Sequence, residues 1–280
     1  MNLILQGMTT ERATIDRIAA IADAQRVTAT KPNVYRCEGV HPSAALKARI
    51  EVECLAARLD ATFIEDDRKL SDFKLVAMDM DSTLITIECI DEIADMAGLK
   101  PQVAKITEAA MRGEIEFRES LTRRVSLLKG LDASALQRVY DERLHLSPGA
   151  ETMLAAIQAA GLKTLLVSGG FTFFTDRMKT RLGLDYTHAN VLEIANGKLT
   201  GRMADGIVDA DEKQYTVERV CTDLGISTRE AIVMGDGAND LKMMAVAGLS
   251  VAYRAKPVVR AQAHIALNFV GLDGILALLL

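Results

Sequence analysis

Lys74-Leu-Val-Ala-Met78 runs directly into Asp79-Met-Asp-Ser-Thr83, so an apolar stretch ends abruptly on two carboxylates. A strand buried on both faces of a parallel sheet reads as just such a near-continuous apolar run. Strand periodicity of two then aims Asp79 and Asp81 to one side. Two like charges beside a buried strand are costly unless a cation or a shared proton compensates them. An Asx-rich turn, with Ser82 and Thr83 capping the next helix, would use the same residues. A calcium loop does not fit, because Leu84 and Ile90 stand where its sixth-position glycine and twelfth-position glutamate belong.

Two further apolar runs end in the same way. Residues 163–167 lead into Ser168-Gly-Gly170, and residues 231–234 lead into Gly235-Asp-Gly-Ala-Asn-Asp240. Another short strand is predicted over 249–252. Helices are predicted from Ser147-Pro148-Gly149 to about residue 160, and over 173–182, 212–224 and 241–247, with a polar hairpin at Asn196-Gly197. Between the first two strands, residues 89–144 read as an all-helical insertion: 90–97, 101–112, 117–129 and 133–144, punctuated by Gly98, Gly113 and Gly130. This order predicts an α/β fold, a doubly wound parallel sheet with a helical cap inserted at about 89–144. Its site should lie beyond the carboxyl ends of the strands, where the three polar clusters meet.

Residues 1–70 read as a separate small α+β domain, with 71–280 forming the larger one. Leu3 to Leu5 make a strand, and Thr9 or Thr10 caps a helix through about Ala24. Residues 26–39 are extended around a turn at Lys31-Pro32-Asn33. Ser43 opens a helix to about Leu59, and 61–64 return as a strand. The β-α-(ββ)-α-β order is that of a split βαβ sandwich. The charged stretch 65–69, with Ser71-Asp72, is the predicted linker.

Composition narrows the function. The 280 residues carry 33 basic and 38 acidic side chains, a net charge of −5, with 4% aromatics and no tryptophan. That argues against an extended nucleic-acid surface or base stacking. Cys37, Cys54, Cys89 and Cys221 are scattered with no C-x-x-C pair, which suits a reducing compartment. The first residues lack a basic, apolar leader, and the apolar end at 274–280 is far shorter than the ~20 residues of a membrane span. A soluble, cytoplasmic protein is expected.

The polar clusters make a phosphoryl-transfer set. A carboxylate can attack phosphorus to give an aspartyl-phosphate, and a second can protonate the leaving oxygen and later activate water. Ser168-Gly-Gly170 could hold an anion with its hydroxyl and backbone amides, although the same tripeptide also serves as an ordinary βα turn. Carboxylates gathered from two strand ends suit magnesium. There is no G-x-S-x-G elbow, P-loop or G-x-G-x-x-G sequence to suggest another chemistry here.

In order, Asp79-Met-Asp-Ser-Thr83, Ser168-Gly-Gly170, Lys213 and Gly235-Asp-Gly-Ala-Asn-Asp240 resemble the four motifs of the haloacid dehalogenase superfamily. Glu88, Met111, Phe117 and Arg-Arg-Val-Ser-Leu-Leu-Lys-Gly (123–130) resemble the cap of its phosphoserine phosphatase family. The resemblance covers roughly residues 72–280. It implies hydrolysis of O-phospho-L-serine, the last step of serine biosynthesis, with Asp79 as nucleophile and Asp81 as general acid and base. It implies Mg2+ held by Asp79, the Asp81 backbone carbonyl and Asp236, with Asp240 in support. Ser168, Gly169 and Lys213 would hold the phosphoryl oxygens, and Asn239 would position phosphate and substrate. Glu88 would take the substrate ammonium and Arg124 its carboxylate, while Met111 and Phe117 close over them. Residues 1–70 resemble ACT-type regulatory domains, which suggests packing, dimerisation as a possible homodimer, or amino-acid sensing. Transfer of the phosphoryl group to another small hydroxy acid, such as homoserine, is the alternative chemistry.

Overall fold

The computed structural model describes residues 1–65 and 68–279. It begins with β1 (Asn2–Gly7), α1 (Arg12–Ile21), β2 (Arg26–Lys31), β3 (Val34–Glu38), α2 (Ala44–Ala57) and β4 (Leu59–Ile64). The four strands pair antiparallel in the order β2-β3-β1-β4. Alternation along β1 explains how this sheet is covered. Leu3 and Leu5 pack with Ile15, Ile18, Ile50 and Cys54 beneath α1 and α2. Ile4, pointing the other way, joins the large core of the following sheet.

Local details differ from the sequence reading. Neither Thr9 nor Thr10 caps α1: Glu11 occupies the N-cap without a side-chain bond. The Thr10 hydroxyl instead donates to Asn33 Oδ1 at 3.1 Å, a partner supplied by the folded turn. α1 stops at Ile21 rather than near Ala24. Ser43 does cap α2, accepting from the Leu46 amide at 3.1 Å, but the helix ends at Ala57, with Arg58 in the left-handed region at φ 55°. Within the predicted linker, Asp66 and Asp67 lie outside the described residues, and Leu70–Asp72 forms one helical turn.

The chain continues through β5 (Leu75–Met78), then α3 (Cys89–Met96), α4 (Lys100–Met111), α5 (Phe117–Leu127), α6 (Ser134–Glu142) and α7 (Ala150–Ala159). Next come β6 (Lys163–Phe171), α8 (Thr172–Leu182), β7 (Tyr186–Asn190), β8 (Leu192–Ala195), β9 (Lys198–Met203) and α9 (Ala210–Leu224). β10 (Ala231–Gly235), α10 (Leu241–Val246), β11 (Leu249–Tyr253), α11 (Pro257–Arg260) and β12 (Ile265–Leu267) complete it. Six strands form a wholly parallel sheet, β12-β11-β10-β5-β6-β7. The expected doubly wound α/β fold is therefore present.

Every residue of β5 and β10 is buried, and their side chains divide by periodicity between two cores. Val76, Met78, Ile232 and Met234 face one, while Leu75, Ala77, Ala231 and Val233 face the other. From β5 the sheet extends to β6 on one side and to β10 on the other. Its carboxyl end is thus a switch point where connecting loops diverge and leave a crevice.

Three expectations at the strand level need correction. β7 and β12 were not anticipated, and β6 runs on to Phe171. Ser168-Gly-Gly170 therefore lies within the last part of a strand, not in a turn at a helix start, and the β6–β7 register shifts between Val167 and Phe171. The Asn196-Gly197 hairpin is as expected. Both residues have positive φ (51° and 74°), as a two-residue turn matched to strand twist requires.

Candidate active site

The chain leaves β5 through one tight turn over Met80–Leu84. Asp81 is extended there, Ser82 adopts φ 56°, and the Ile85 amide closes onto the Met80 carbonyl at 3.0 Å. Met80 enters the core, while Asp79 and Asp81 both line a cleft of about 930 Å3. The alternation read from the sequence is preserved through the turn.

Lys213, on α9, is completely buried. Its Nζ lies 2.9 Å from Asp79 Oδ1 and 2.7 Å from Asp240 Oδ1. The other Asp240 oxygen accepts from the amides of Asp236 (3.1 Å) and Gly237 (3.0 Å), so both of its oxygens are engaged. Asp79 Oδ1 also accepts the Met80 amide at 2.7 Å. Asp236 Oδ1 accepts from Thr83 Oγ1 at 3.2 Å, and one oxygen each of Asp79, Asp236 and Asp240 lie within 4.8 Å of one another.

Burial dominates the electrostatics. It lifts the Asp79 carboxyl well above the usual range, reinforced by Asp240 and opposed by Lys213. Asp81 is pushed up to about 8 by burial and by the charge of Glu88, with Cys89 opposing. Asp236 rises to about 7 through burial and the charges of Asp240 and Glu88. For Lys213, burial disfavours the ammonium, but Asp240 and Asp79 together outweigh it and hold the amine charged. One lysine among these acids leaves negative charge to be balanced. A hard divalent cation fits such a donor set of carboxylate oxygens with little nitrogen or sulfur.

Ser168 is buried, and its Oγ accepts the Gly170 amide at 2.9 Å. Gly169 is held from behind: Asn190 Nδ2 donates to its carbonyl at 2.7 Å, while Asn190 Oδ1 takes the Val208 amide at 2.8 Å. A β-carbon on Gly169 would sit 3.3 Å from the Phe117 ring, so strand and helical insertion meet closely there.

From the helical side, Glu88 Oε1 accepts Ser82 Oγ at 2.7 Å, and burial raises its carboxyl despite that bond. Burial lowers the Arg124 guanidinium, with Asp91, Glu88 and Asp81 opposing. Met111 is 67% exposed on the cleft rim, and Phe117 is half-buried. Asp79, Asp81, Glu88, Met111, Phe117, Arg124, Ser168, Gly169, Asp236 and Asn239 all line this one cleft. Lys213 and Asp240 support it from behind.

Sequence reasoning read Thr83 only as a helix cap, and it missed Asp91, Asn190 and the Arg118–Asp209 pair. Arg118 Nε meets Asp209 Oδ2 at 2.5 Å, linking α5 to the N-cap of α9. Asp91 lines the cleft with one buried oxygen that lacks a hydrogen-bond partner. Its acidic position on the first turn of α3, one helical step beyond Glu88, was the available signal.

The haloacid dehalogenase-like hydrolase family matches residues 73–248. A phosphoserine phosphatase of a Polaromonas species is 61% identical over 217 residues, covering 76% of this chain and 92% of that protein. The structure of a probable phosphoserine phosphatase from Vibrio cholerae, unliganded, superposes with a TM-score of 0.84 at 37% identity, covering 99% of this chain and 86% of that one. A substrate-bound phosphoserine phosphatase superposes with a TM-score of 0.69 at 38% identity, covering 73% and 97%. With acids and the serine at the ends of β5, β6 and β10 and the lysine on α9, this chain belongs to the haloacid dehalogenase-like hydrolases.

Proposed function

We propose that this chain is a magnesium-dependent phosphoserine phosphatase that hydrolyses O-phospho-L-serine through a phosphorylated Asp79, completing serine biosynthesis in the cytoplasm. The observation that carries this reading is a single cleft that brings together acids for a phosphoryl group and a carboxylate and a guanidinium suited to an amino acid. Asp79, Asp81 and Asp236 line it together with the Glu88 carboxylate and the Arg124 guanidinium.

A phosphorylated amino acid offers matching groups: a phosphoryl dianion, an ammonium and a carboxylate. Arg124 suits the carboxylate because its planar fork can pair bidentately, and Glu88 suits the ammonium. Met111 and Phe117 cover the bound molecule and limit the entry of water. Ser168 Oγ, the Gly169 amide and Lys213 hold the phosphoryl oxygens, and Asn239 positions the group.

Asp79 attacks phosphorus, forming one P–O bond as the bond to the serine oxygen breaks. Asp81 delivers a proton to that oxygen. A carboxyl pushed up to about 8 is protonated at neutral pH, as a general acid must be. The resulting carboxylate then takes a proton from water, which attacks the phosphoryl-aspartate and releases phosphate. Asp79, Asp236 and the Asp81 carbonyl would hold Mg2+, while Asp240, whose oxygens already serve Lys213 and two amides, orients the loop. The bound ion would withdraw negative charge from the phosphoryl group.

The antiparallel sheet with its two helices on one face fits an ACT-like unit. The outer edge of β2 offers a surface for a homodimer. The deciding experiment measures phosphate release from L-phosphoserine, with and without magnesium, beside sugar and nucleotide phosphates. Strong, magnesium-dependent preference for phosphoserine is expected. Equal turnover across the panel would overturn the Glu88 and Arg124 assignments, and no turnover at all would overturn the activity.

A further inference from the structure

We propose that the seam between the two sheets carries a second oxyanion site, formed by Arg58, Arg254 and Arg260, that takes a phosphate group. The three guanidinium-bearing residues line a cavity of about 430 Å3 together with Ala255, Asn268 and Phe269. Arg58 comes from the end of α2, whereas Arg254 and Arg260 come from the segment after β11. Among the described residues none of the three forms an ion pair with a carboxylate. Arg58 and Arg254 are exposed and Arg260 is half-buried, so solvent screens their mutual repulsion, and an anion between the three would relieve what remains.

The site is also held in shape. Arg58 lies over the Phe269 ring at 5.5 Å, and Arg260 Nη1 donates to Asn268 Oδ1 at 3.3 Å. Asp60 is the acidic group behind the cavity, and it is already engaged. Its oxygens accept the amides of Asn268 (2.7 Å), Phe269 and Val270 (both 3.0 Å) and the Asn268 side chain (3.2 Å). That network fixes residues 268–270 without neutralising the arginines.

Backbone conformation gives an independent indication. Arg58 and Arg254 have φ of 55° and 46°, in the left-handed region that glycine adopts without strain. At Arg58 that conformation caps α2, whereas Arg254 caps no helix, and strained residues cluster at ligand clamps. Guanidinium forks suit phosphate oxygens, and the cavity has room for a phosphate with a short carbon chain. Free phosphate and the phosphoryl group of a small ester share that chemistry.

The segment also reaches the cleft. The Arg254 amide donates to Leu267 O at 2.7 Å, and two residues later the Lys256 amide donates to Asp236 O at 3.1 Å. Lys256 itself lines the catalytic cleft. A phosphate held by all three arginines would join the N-terminal sheet to the segment that supports Asp236.

Calorimetric titration of the full chain with inorganic phosphate, and separately with glycerol 3-phosphate, tests this site. Two binding events are expected, one at the catalytic cleft and one at the seam. The triple variant Arg58→Gln/Arg254→Gln/Arg260→Gln should retain phosphatase activity and lose one event, with at least tenfold weaker binding in the single variant Arg254→Gln. Tighter binding of the ester assigns the site to an organic phosphate, and equal binding assigns it to the free ion. A single event in the unaltered protein, or undiminished binding in both variants, overturns the proposal. Retained activity shows that the triple variant is folded, so a lost event cannot come from unfolding.

Discussion

Asp60 and Asp79 are both nearly inaccessible carboxylates, 1% and 5% exposed, yet the protein treats them in opposite ways. At the seam, Asp60 receives three backbone amides and one side-chain amide and, among the described residues, forms no ion pair. Burial still raises its carboxyl, with those donors opposing. In the cleft, Asp79 has one neighbouring amide and a lysine shared with Asp240, and other acids surround it. A carboxylate that is fully satisfied by donors holds two segments together. One with a spare oxygen among like charges stays open to a cation or a substrate.

The contrast can be broken most severely at Asp79. On the proposed mechanism Asp79→Asn removes the attacking oxygen, so turnover of phosphoserine should fall by about four orders of magnitude or more. Lys213 keeps its Asp240 partner, so circular dichroism and the unfolding midpoint should change little. Normal turnover in this variant would end the covalent mechanism. Asp60→Ala should do the reverse. It strands several donors at the seam and should lower stability by about 3 kcal/mol, read as a lower denaturant midpoint. Activity per folded molecule should survive.

Arg124→Ala sharpens the comparison within the cleft itself. If Arg124 holds the substrate carboxylate as proposed, losing that charge-assisted pair should reduce kcat/KM for phosphoserine by about a hundredfold. Hydrolysis of a phosphomonoester that lacks a carboxylate should barely change. If both substrates lose activity equally, Arg124 acts on the fold or on the phosphoryl group.

The smallest effect belongs to Asp185, a partly exposed carboxylate beside β6. It accepts the Thr164 amide at 2.9 Å and Lys163 Nζ at 2.7 Å. Burial raises its carboxyl, but Lys163 and Thr164 together hold it below the ordinary value of 3.8. A depressed folded value contributes stability above the unfolded value, and that contribution is lost as pH falls through the folded one. Thermal melts between pH 7 and pH 3 should therefore drop slightly less steeply for Asp185→Asn, because solvent screens this pair. Identical slopes would remove the linkage.

The parallel sheet was legible wherever strands are buried on both faces, since apolar runs such as Leu-Val-Ala-Met have little other use. β7 was not, because Tyr186-Thr-His-Ala-Asn190 is an edge strand with half-buried, partly polar residues. β12 is only three residues long and takes its identity from pairing with β11. In the cleft, the acids of 79–81 and 235–240 were legible because they follow apolar strands, whereas Lys213, inside α9, came only from the resemblance to the family. Asn190 was not, since its partners Gly169 and Val208 are 21 and 18 residues away and meet it only after folding. Arg58, Arg254 and Arg260 likewise have no common pattern in the chain.

The burial of Lys213 also constrains how the molecule comes into being. Its ammonium must reach Asp79, 134 positions earlier in the chain, and Asp240, 27 positions later, before any of the three charges can leave water. Contacts of such long sequence separation form slowly, because loop closure must precede their reward. Catalytic competence therefore arrives with the final ordering of α9 against β5 and β10. In refolding from denaturant, phosphatase activity should return with the last phase of secondary-structure recovery. Earlier return of activity would mean that the charged triad assembles in a partly folded chain.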